Sequence, residues 1–242
     1  MKSTAILIPA RYGSTRYPGK PLTLLNGKPM IQRVAEICKS SGYDTYVLTD
    51  NKFIAQAARA SGVDFYIDST DYDNGTERCA GAIASRKFDD YDQFINVQGD
   101  MPLIKPEAIS HLEKFMKTNL PEMGTLASKL NEKDVSNPNV VKVETQQELK
   151  LGNFSQAVDF FRIKEQKSKN LYHHVGIYAY QYSILKNYVG LHKTKNELER
   201  SLEQMRALDN NIKIQVGFIQ DYPLGVDTQE DLEQIRLLYN EK

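Results

Sequence analysis

Thr4 to Pro9, TAILIP, is a continuous apolar run at the start of the chain, and it constrains what can follow. Six residues are too few for a helix, and a strand apolar on both faces must be covered by other layers. The next hundred residues supply that cover in alternation. Met30 to Ser40 places Ile31, Val34, Ala35 and Cys38 at helical spacing, and Gly42 stops the run. Asp44–Thr49 reads as a strand, residues 52–60 as a short Ala-rich helix and Phe65–Ile67 as a third strand. Thr76–Ser85 reads as a helix and Gln93–Gln98 as a strand. Pro106–Lys117 is a helix with its proline in the first turn, where a missing N–H costs nothing. Strands alternating with helices of about ten residues predict an α/β fold around a doubly wound, mostly parallel sheet.

The second half changes character. Gly124–Leu130, Val140–Glu144, Leu149–Phe154 and Val175–Tyr180 read as strands in close succession, with 155–171 polar and irregular between them. A helix at 197–208, a strand at 212–218 and a last helix opened by GVDTQEDL at 225–232 follow. With no repeat and no linker composition, the expectation is one domain, 1–242, carrying an inserted β-rich subregion at about 124–211.

Lys+Arg and Asp+Glu both number 31, so the chain is formally neutral. That balance argues against a dedicated nucleic-acid binder, which shows a basic excess. Cys38 and Cys79 are far apart and have no partners at metal spacing, which excludes a disulfide scaffold and a zinc ribbon. No stretch reaches the roughly 18 apolar residues of a membrane span, so a cytoplasmic protein is expected.

Against that neutral background, residues 10–21, ARYGSTRYPGKP, carry Arg11, Arg16 and Lys20 with no acid between them. Ligands of doubly wound sheets bind outside the carboxyl ends of the strands, where this loop falls. A polyphosphate would balance the three cations, and Gly13 and Gly19 let backbone N–H groups approach it. The bland alternative is a solvated basic loop. A P-loop is excluded, since five residues separate Gly13 from Gly19 and Pro21 follows Lys20; there is no G-x-G-x-x-G either. Asp100 ends the strand QFINVQ after Gly99, where it serves either a divalent cation or the turn at Pro102. Asp227 precedes the last helix as a metal ligand or an N-cap. His173 and His174 are neighbours on a strand, point to opposite faces and so do not bind one ion together. Alternating Tyr172, Tyr178, Tyr180 and Tyr182 read as strand packing.

IPARYGSTRYPGKPL at 8–22, NGKPMIQRV at 26–34, GTER at 75–78, NVQGD at 96–100, HVGIYAY at 174–180, LEQMR at 202–206 and GVDTQEDL at 225–232 are collinear blocks along nearly the whole chain. Together they resemble the cytidylyltransferases that activate 3-deoxy-manno-octulosonate (Kdo) as its CMP sugar. The resemblance implies a nucleotidyltransferase fold, a homodimer, and Mg2+-dependent transfer of CMP from CTP to a sugar acid with release of pyrophosphate. It implies that Pro9, Ala10, Arg11, Ser14, Lys20, Asn74, Gly75, Arg78 and Gln98 meet the nucleotide, with Arg11, Arg16, Lys20 and Asp100 catalytic. Asp100 and Asp227 would hold metal. Gln98, Gln156, His174, Tyr178, Glu203 and Gln204 would meet the acceptor.

The chain departs from the family pattern mainly on that acceptor side. Met101 follows QGD where the family has Glu, Asn74 precedes GTER where it has Ser, Gln156 replaces Arg, and His173 replaces Arg. A site built on hydrogen bonds discriminates strongly between analogues, so these changes leave a different capsular or surface-glycan acid as the alternative acceptor. A nucleotide sensor without turnover is the alternative outside enzymes. A D-x-D glycosyltransferase lacks its first acid in Gln98-Gly99-Asp100.

Overall fold

The computed structural model describes residues 3–13, 17–163 and 169–240 and divides into two compact units, Met1–Ser110 with Pro223–Lys242, and His111–Tyr222. The first unit is built on β1 (Thr4–Ala10), whose seven residues are all buried. After it come a small hairpin, β2 (Leu24–Leu25) and β3 (Lys28–Pro29), then α1 (Met30–Ser40), β4 (Asp44–Thr49), α2 (Lys52–Ala60), β5 (Asp64–Ile67), α3 (Gly75–Ile83) and β6 (Gln93–Asn96). The strand order β5-β4-β1-β6 is parallel throughout, with Ile8 opposite Val47 and Leu7 opposite Asn96. All four strands therefore end on one side, and their following loops gather there.

α1 buries Met30, Ile31, Val34, Ala35 and Cys38, the set its spacing predicts. Burial pushes the Cys38 thiol far above its ordinary pKa, and Cys79 is buried too, in keeping with two structural thiols. Leu25 and Met30 form one cluster with Val226, Leu232 and Ile235, so the last stretch of the chain closes this core. α4 (Pro106–Asn119) carries the chain on into the second unit.

There β7 (Met123–Lys129), β8 (Lys142–Thr145), β9 (Phe154–Phe161), β10 (Leu171–Gln181) and β11 (Ile214–Phe218) carry three short helices, α5 (Tyr182–Tyr188), α6 (Lys195–Arg200) and α7 (Gln204–Asp209). The last helix of the first unit is α8 (Gln229–Asn240). The strand order β10-β7-β11-β9-β8 returns on itself, because the start of β10 also pairs with β8. Five strands thus close into a ring, and closure removes free edges. All its pairings are antiparallel except β11 with β7.

Two elements differ from their sequence expectation. The strand expected at 149–154 lies later, at β9; residues 149–153 turn through Gly152 at φ 86°. The polar look of 155–161 hid a strand that buries Ser155, Ala157, Phe160 and Phe161, because its polar groups find partners. Ser155 Oγ accepts from the Gln147 N–H, and Asp159 accepts from Arg200 at 2.5 Å. The helix expected at 197–208 is two helices broken at Ser201, which adopts φ 52° without being glycine and so gives no sequence signal. The hairpin β2–β3 and α5 carry no period that sequence reading could use. Among the described residues no helix is long and apolar enough to cross a membrane.

Candidate active site

An open cleft of about 240 Å3 lies in the first unit at the carboxyl ends of the parallel strands. Five separate stretches line it: Pro9–Arg11 at the end of β1, Lys20 and Pro21, residues of Tyr72 to Arg78 around the start of α3, Gln98–Asp100 after β6, and Asp227 before α8. Of the residues expected to meet nucleotide or metal, Pro9, Ala10, Arg11, Lys20, Asn74, Gly75, Arg78, Gln98, Asp100 and Asp227 all line this one cleft. Ser14 and Arg16 lie outside the described residues.

Lys20 stands at the centre. Gly19 turns the chain at φ 72°, a conformation open to glycine, and a Cβ there would meet the Tyr12 ring at 3.5 Å. The turn aims Lys20 inward. Its ammonium donates to Asp100 Oδ2 at 2.5 Å and to the Val226 carbonyl at 2.7 Å, and lies 3.8 Å from Asp227 Oδ1. The two carboxylates, 127 positions apart by residue number, therefore converge on one nitrogen. The backbone N–H of Val226 donates to the Asp100 carbonyl, which ties the segments together.

The start of α8 is capped by Thr228 and Asp231, whose side chains accept from each other's backbone N–H groups, so Asp227 is not needed as the cap. The Asp100 carboxylate is engaged by Lys20. A Cβ on Gly99 would sit 3.0 Å from the Pro9 carbonyl oxygen, so this glycine serves close packing of β1 beside the loop after β6.

Asn74 caps α3, its side chain accepting from the Glu77 N–H at 2.8 Å. Asn serves this purpose as well as Ser, so the departure before GTER keeps the helix start intact. The N-terminal turn of α3 thereby presents N–H groups toward the cleft, where an anion is favoured. Arg78 is nearly buried. It donates to the Asp68 carbonyl at 3.2 Å, lies 3.7 Å from Asp50 Oδ2, and rests over the Tyr72 ring at 5.2 Å. Asp50 also accepts from the Tyr12 N–H at 3.1 Å, linking the loop after β1 to this arginine. Burial would raise the Asp68 carboxyl, but hydrogen bonds from Thr70 and Tyr72 and the charge of Arg78 hold it below its ordinary value. Sequence reading passed over Asp50 and Tyr72. The signal for Asp50 was its place at the end of β4; for Tyr72 there was none, since Gly81, which makes room for it, looks like any small helix residue. A Cβ on Gly81 would lie 2.0 Å from the Tyr72 hydroxyl.

Met101, where the family has Glu, is buried and does not line the cleft. Of the expected acceptor residues, Gln98 lines the cleft and the rest belong to the second unit. His174 Nε2 lies 3.0 Å from the Thr125 hydroxyl, which gives its own proton to the Ile177 carbonyl at 2.7 Å. Burial, reinforced by His173, lowers the His174 pKa to about 3, so the ring is neutral. Tyr178 lies beside it, ring centres 5.5 Å apart, and burial together with the Glu203 carboxylate pushes its phenol well above the ordinary value. The Glu203 carbonyl accepts from Tyr188 at 2.6 Å, and Gln204 is buried next to it. His174, Tyr178 and Glu203 thus form a group.

Gln156 does not join them. Ser155 is paired across Val216 to Thr125, on the His174 side; Gln156, one residue on, projects from the opposite face of the sheet. The LEQMR block owes its arginine to packing. Arg206 donates to both oxygens of Glu197, at 2.8 and 2.5 Å, with the two side chains only 2% and 7% exposed.

The pattern of the cytidylyltransferase family matches residues 5–214. The chain is 44% identical to the 3-deoxy-manno-octulosonate cytidylyltransferase of Thermodesulfovibrio yellowstonii, over 95% of each chain. It is 41% identical to 3-deoxy-manno-octulosonate cytidylyltransferase 2 of Actinobacillus pleuropneumoniae, over 100% of each. Among solved structures it resembles a CMP:2-keto-3-deoxy-manno-octonic acid synthetase complexed with CTP, with a TM-score of 0.89, 33% identity and 99% of each chain covered. An apo UDP-glucose pyrophosphorylase shares the fold at a TM-score of 0.72 and 13% identity.

Proposed function

This chain belongs to the cytidylyltransferase family, and from that premise we propose that it transfers CMP from CTP to 3-deoxy-manno-octulosonate with release of pyrophosphate. The observation that carries the site assignment is the convergence of five separate segments on one cleft whose lining offers Arg11, Lys20 and Arg78 to a polyphosphate.

The acceptor hydroxyl attacks the α-phosphorus in line with the departing pyrophosphate. Catalysis is then chiefly positioning and charge neutralisation, and no covalent nucleophile is required. Lys20 and Arg11 neutralise the phosphates, the start of α3 supplies backbone N–H donors, and Arg78 is held ready by Asp50 and Tyr72. Among the described residues no three His, Cys, Asp or Glu side chains gather as a self-sufficient metal site. Asp100 and Asp227 fit Mg2+ nonetheless, because that ion takes one or two carboxylates and completes its shell with phosphate and water oxygens. Bound there, Mg2+ would polarise the phosphate and lower the pKa of the attacking hydroxyl. On the acceptor side we assign His174, Tyr178, Glu203 and Gln204. The neutral imidazole and phenol are hydrogen-bonding groups in this reading, not acid–base catalysts. The family resemblance further supports a homodimer, which sedimentation would test.

The test is coupled pyrophosphate release with CTP, Mg2+ and millimolar 3-deoxy-manno-octulosonate. Turnover is expected. Mg2+-dependent CTP binding without turnover would move the acceptor to another sugar acid. Failure to bind CTP would overturn the site.

A further inference from the structure

Lys20 occupies the place that the family reading gives to a metal ion. Its nitrogen is surrounded by three oxygens from two other segments of the chain: Asp100 Oδ2, the Val226 carbonyl and, farther off, Asp227 Oδ1. Two carboxylates and a carbonyl are hard oxygen donors of the kind a divalent cation takes. We infer that Lys20 is the resident counter-ion of Asp100 and Asp227, so that the nucleotide-free cleft rejects a divalent cation and admits one only together with a polyphosphate. The inference rests on the nucleotide reading of the cleft given above.

The exclusion follows from distance. A divalent ion on Asp100 Oδ2 sits about 2.1 Å from that oxygen. Lys20 Nζ is 2.5 Å from the same atom, so the ion could lie no farther than about 4.6 Å from the ammonium. Two cations at that separation in a half-enclosed cleft repel strongly, more than they would in open water. The ammonium has no lone pair to share and cannot act as a ligand.

A triphosphate reverses this. It offers Lys20 new oxygen acceptors within reach of a flexible four-carbon stem. Once the ammonium turns to the phosphates, both carboxylates are released and the phosphates add further ligands. Polyphosphate and divalent cation therefore bind with positive cooperativity, and linkage makes the effect mutual. Lys20 so acts twice: it balances phosphate charge in the loaded state and keeps the acidic pair closed before loading.

The test uses Mn2+ as the probe ion, with protein-bound metal followed by water-proton relaxation. Nucleotide-free wild type is expected to bind Mn2+ at this site at least tenfold more weakly than Lys20→Met or Lys20→Gln. Both variants are neutral and similar in length, so one stands in if the other fails to fold. Asp100→Asn added to either should remove the gained site. Equal Mn2+ affinity in wild type and both lysine variants would overturn the inference. A second arm adds CTP without acceptor to wild type, where a ternary complex with enhanced relaxation should form. If it forms while the lysine variants gain nothing, the counter-ion role alone is wrong. If no ternary complex forms, the nucleotide reading falls and the inference with it.

Discussion

The two units bury charge in opposite ways. In the first, the Lys20–Asp100 pair sits in an open cleft, with side chains 16% and 31% exposed, and Asp227 beside it is 64% exposed. In the second, Arg206 and Glu197 are sealed from solvent and meet through two parallel hydrogen bonds. A pair left half wet is cheap to separate, so its members can be exchanged for a ligand. A pair sealed from water is costly to break, because each partner strands the other without solvation. The cleft is arranged for exchange; the second unit uses its charges as fasteners, joining α6 to α7 across the break at Ser201.

If that contrast is right, substitutions in the first unit should cost rate and little stability, and those in the second the reverse. Asp100→Asn is expected to lower kcat by about 10^2–10^3-fold, the scale of one lost electrostatic group at the reacting phosphate. Its unfolding free energy should change by about 1 kcal/mol or less. A large fall in melting temperature would break the contrast at its strongest point. Glu197→Ala should cost about 3–5 kcal/mol, since it leaves Arg206 buried and unpaired. Calorimetry should register that as a fall on the order of 10 °C. A melting temperature unchanged within 2 °C or so would show the pair to be no fastener.

Lys20→Ala should reduce kcat/KM for CTP by ~10^2-fold with a near-normal melting temperature. An unchanged CTP profile would return that lysine to the role of a surface charge. The next effect is on pH dependence. Burial lowers His173 to about 4 and His174 to about 3, below their ordinary value near 6.5. The unfolded chain therefore takes up protons first as pH falls. This contribution is fully present above about pH 6.5 and is lost toward pH 4, at about 1.4 kcal/mol per pH unit for each ring. Urea midpoints between pH 4.5 and 7 would show it, and His173→Gln should roughly halve the slope. Smallest is Asn74→Ala, which removes the cap of α3 and should cost about 1 kcal/mol of stability in a urea titration. A loss several times larger would mean that the start of α3 is fastened like the second unit.

The first unit was far more legible than the second, and the reason is local. The bounds of α1 and β4 follow from period and flanking turns alone, because α1 buries one stripe and β4 most of its residues. The basic loop announced itself by charge on a neutral chain. What no local pattern could show was that Asp100 and Asp227 meet, or that Lys20 lies between them, since that depends on the return of the last segment. In the second unit the strands close into a ring, and Ser155 and Lys142 are buried and Asp159 half-buried, each with a partner from another segment: Gln147, Arg162 and Arg200. Lys142 gives its protons to the carbonyls of Asn137 and Arg162, both at 2.6 Å, a use that its residue type does not advertise. Hydrophobic alternation is a poor guide where polar groups are satisfied inside.

The first unit is also discontinuous in the chain. Its basic loop lies within the first 21 residues, while Val226 and Asp227 come only after the whole of 111–222 has been made. At ordinary synthesis speeds that gap lasts on the order of ten seconds. Throughout it, the parallel strands and the basic loop exist without the segment that engages Lys20 and without Leu232 and Ile235, which complete the core cluster around Leu25 and Met30. The nascent protein thus lacks a finished cleft until Val226, Asp227 and α8 have been made, and a polypeptide broken off before residue 226 has the basic loop but neither Asp227 nor the helix that follows it.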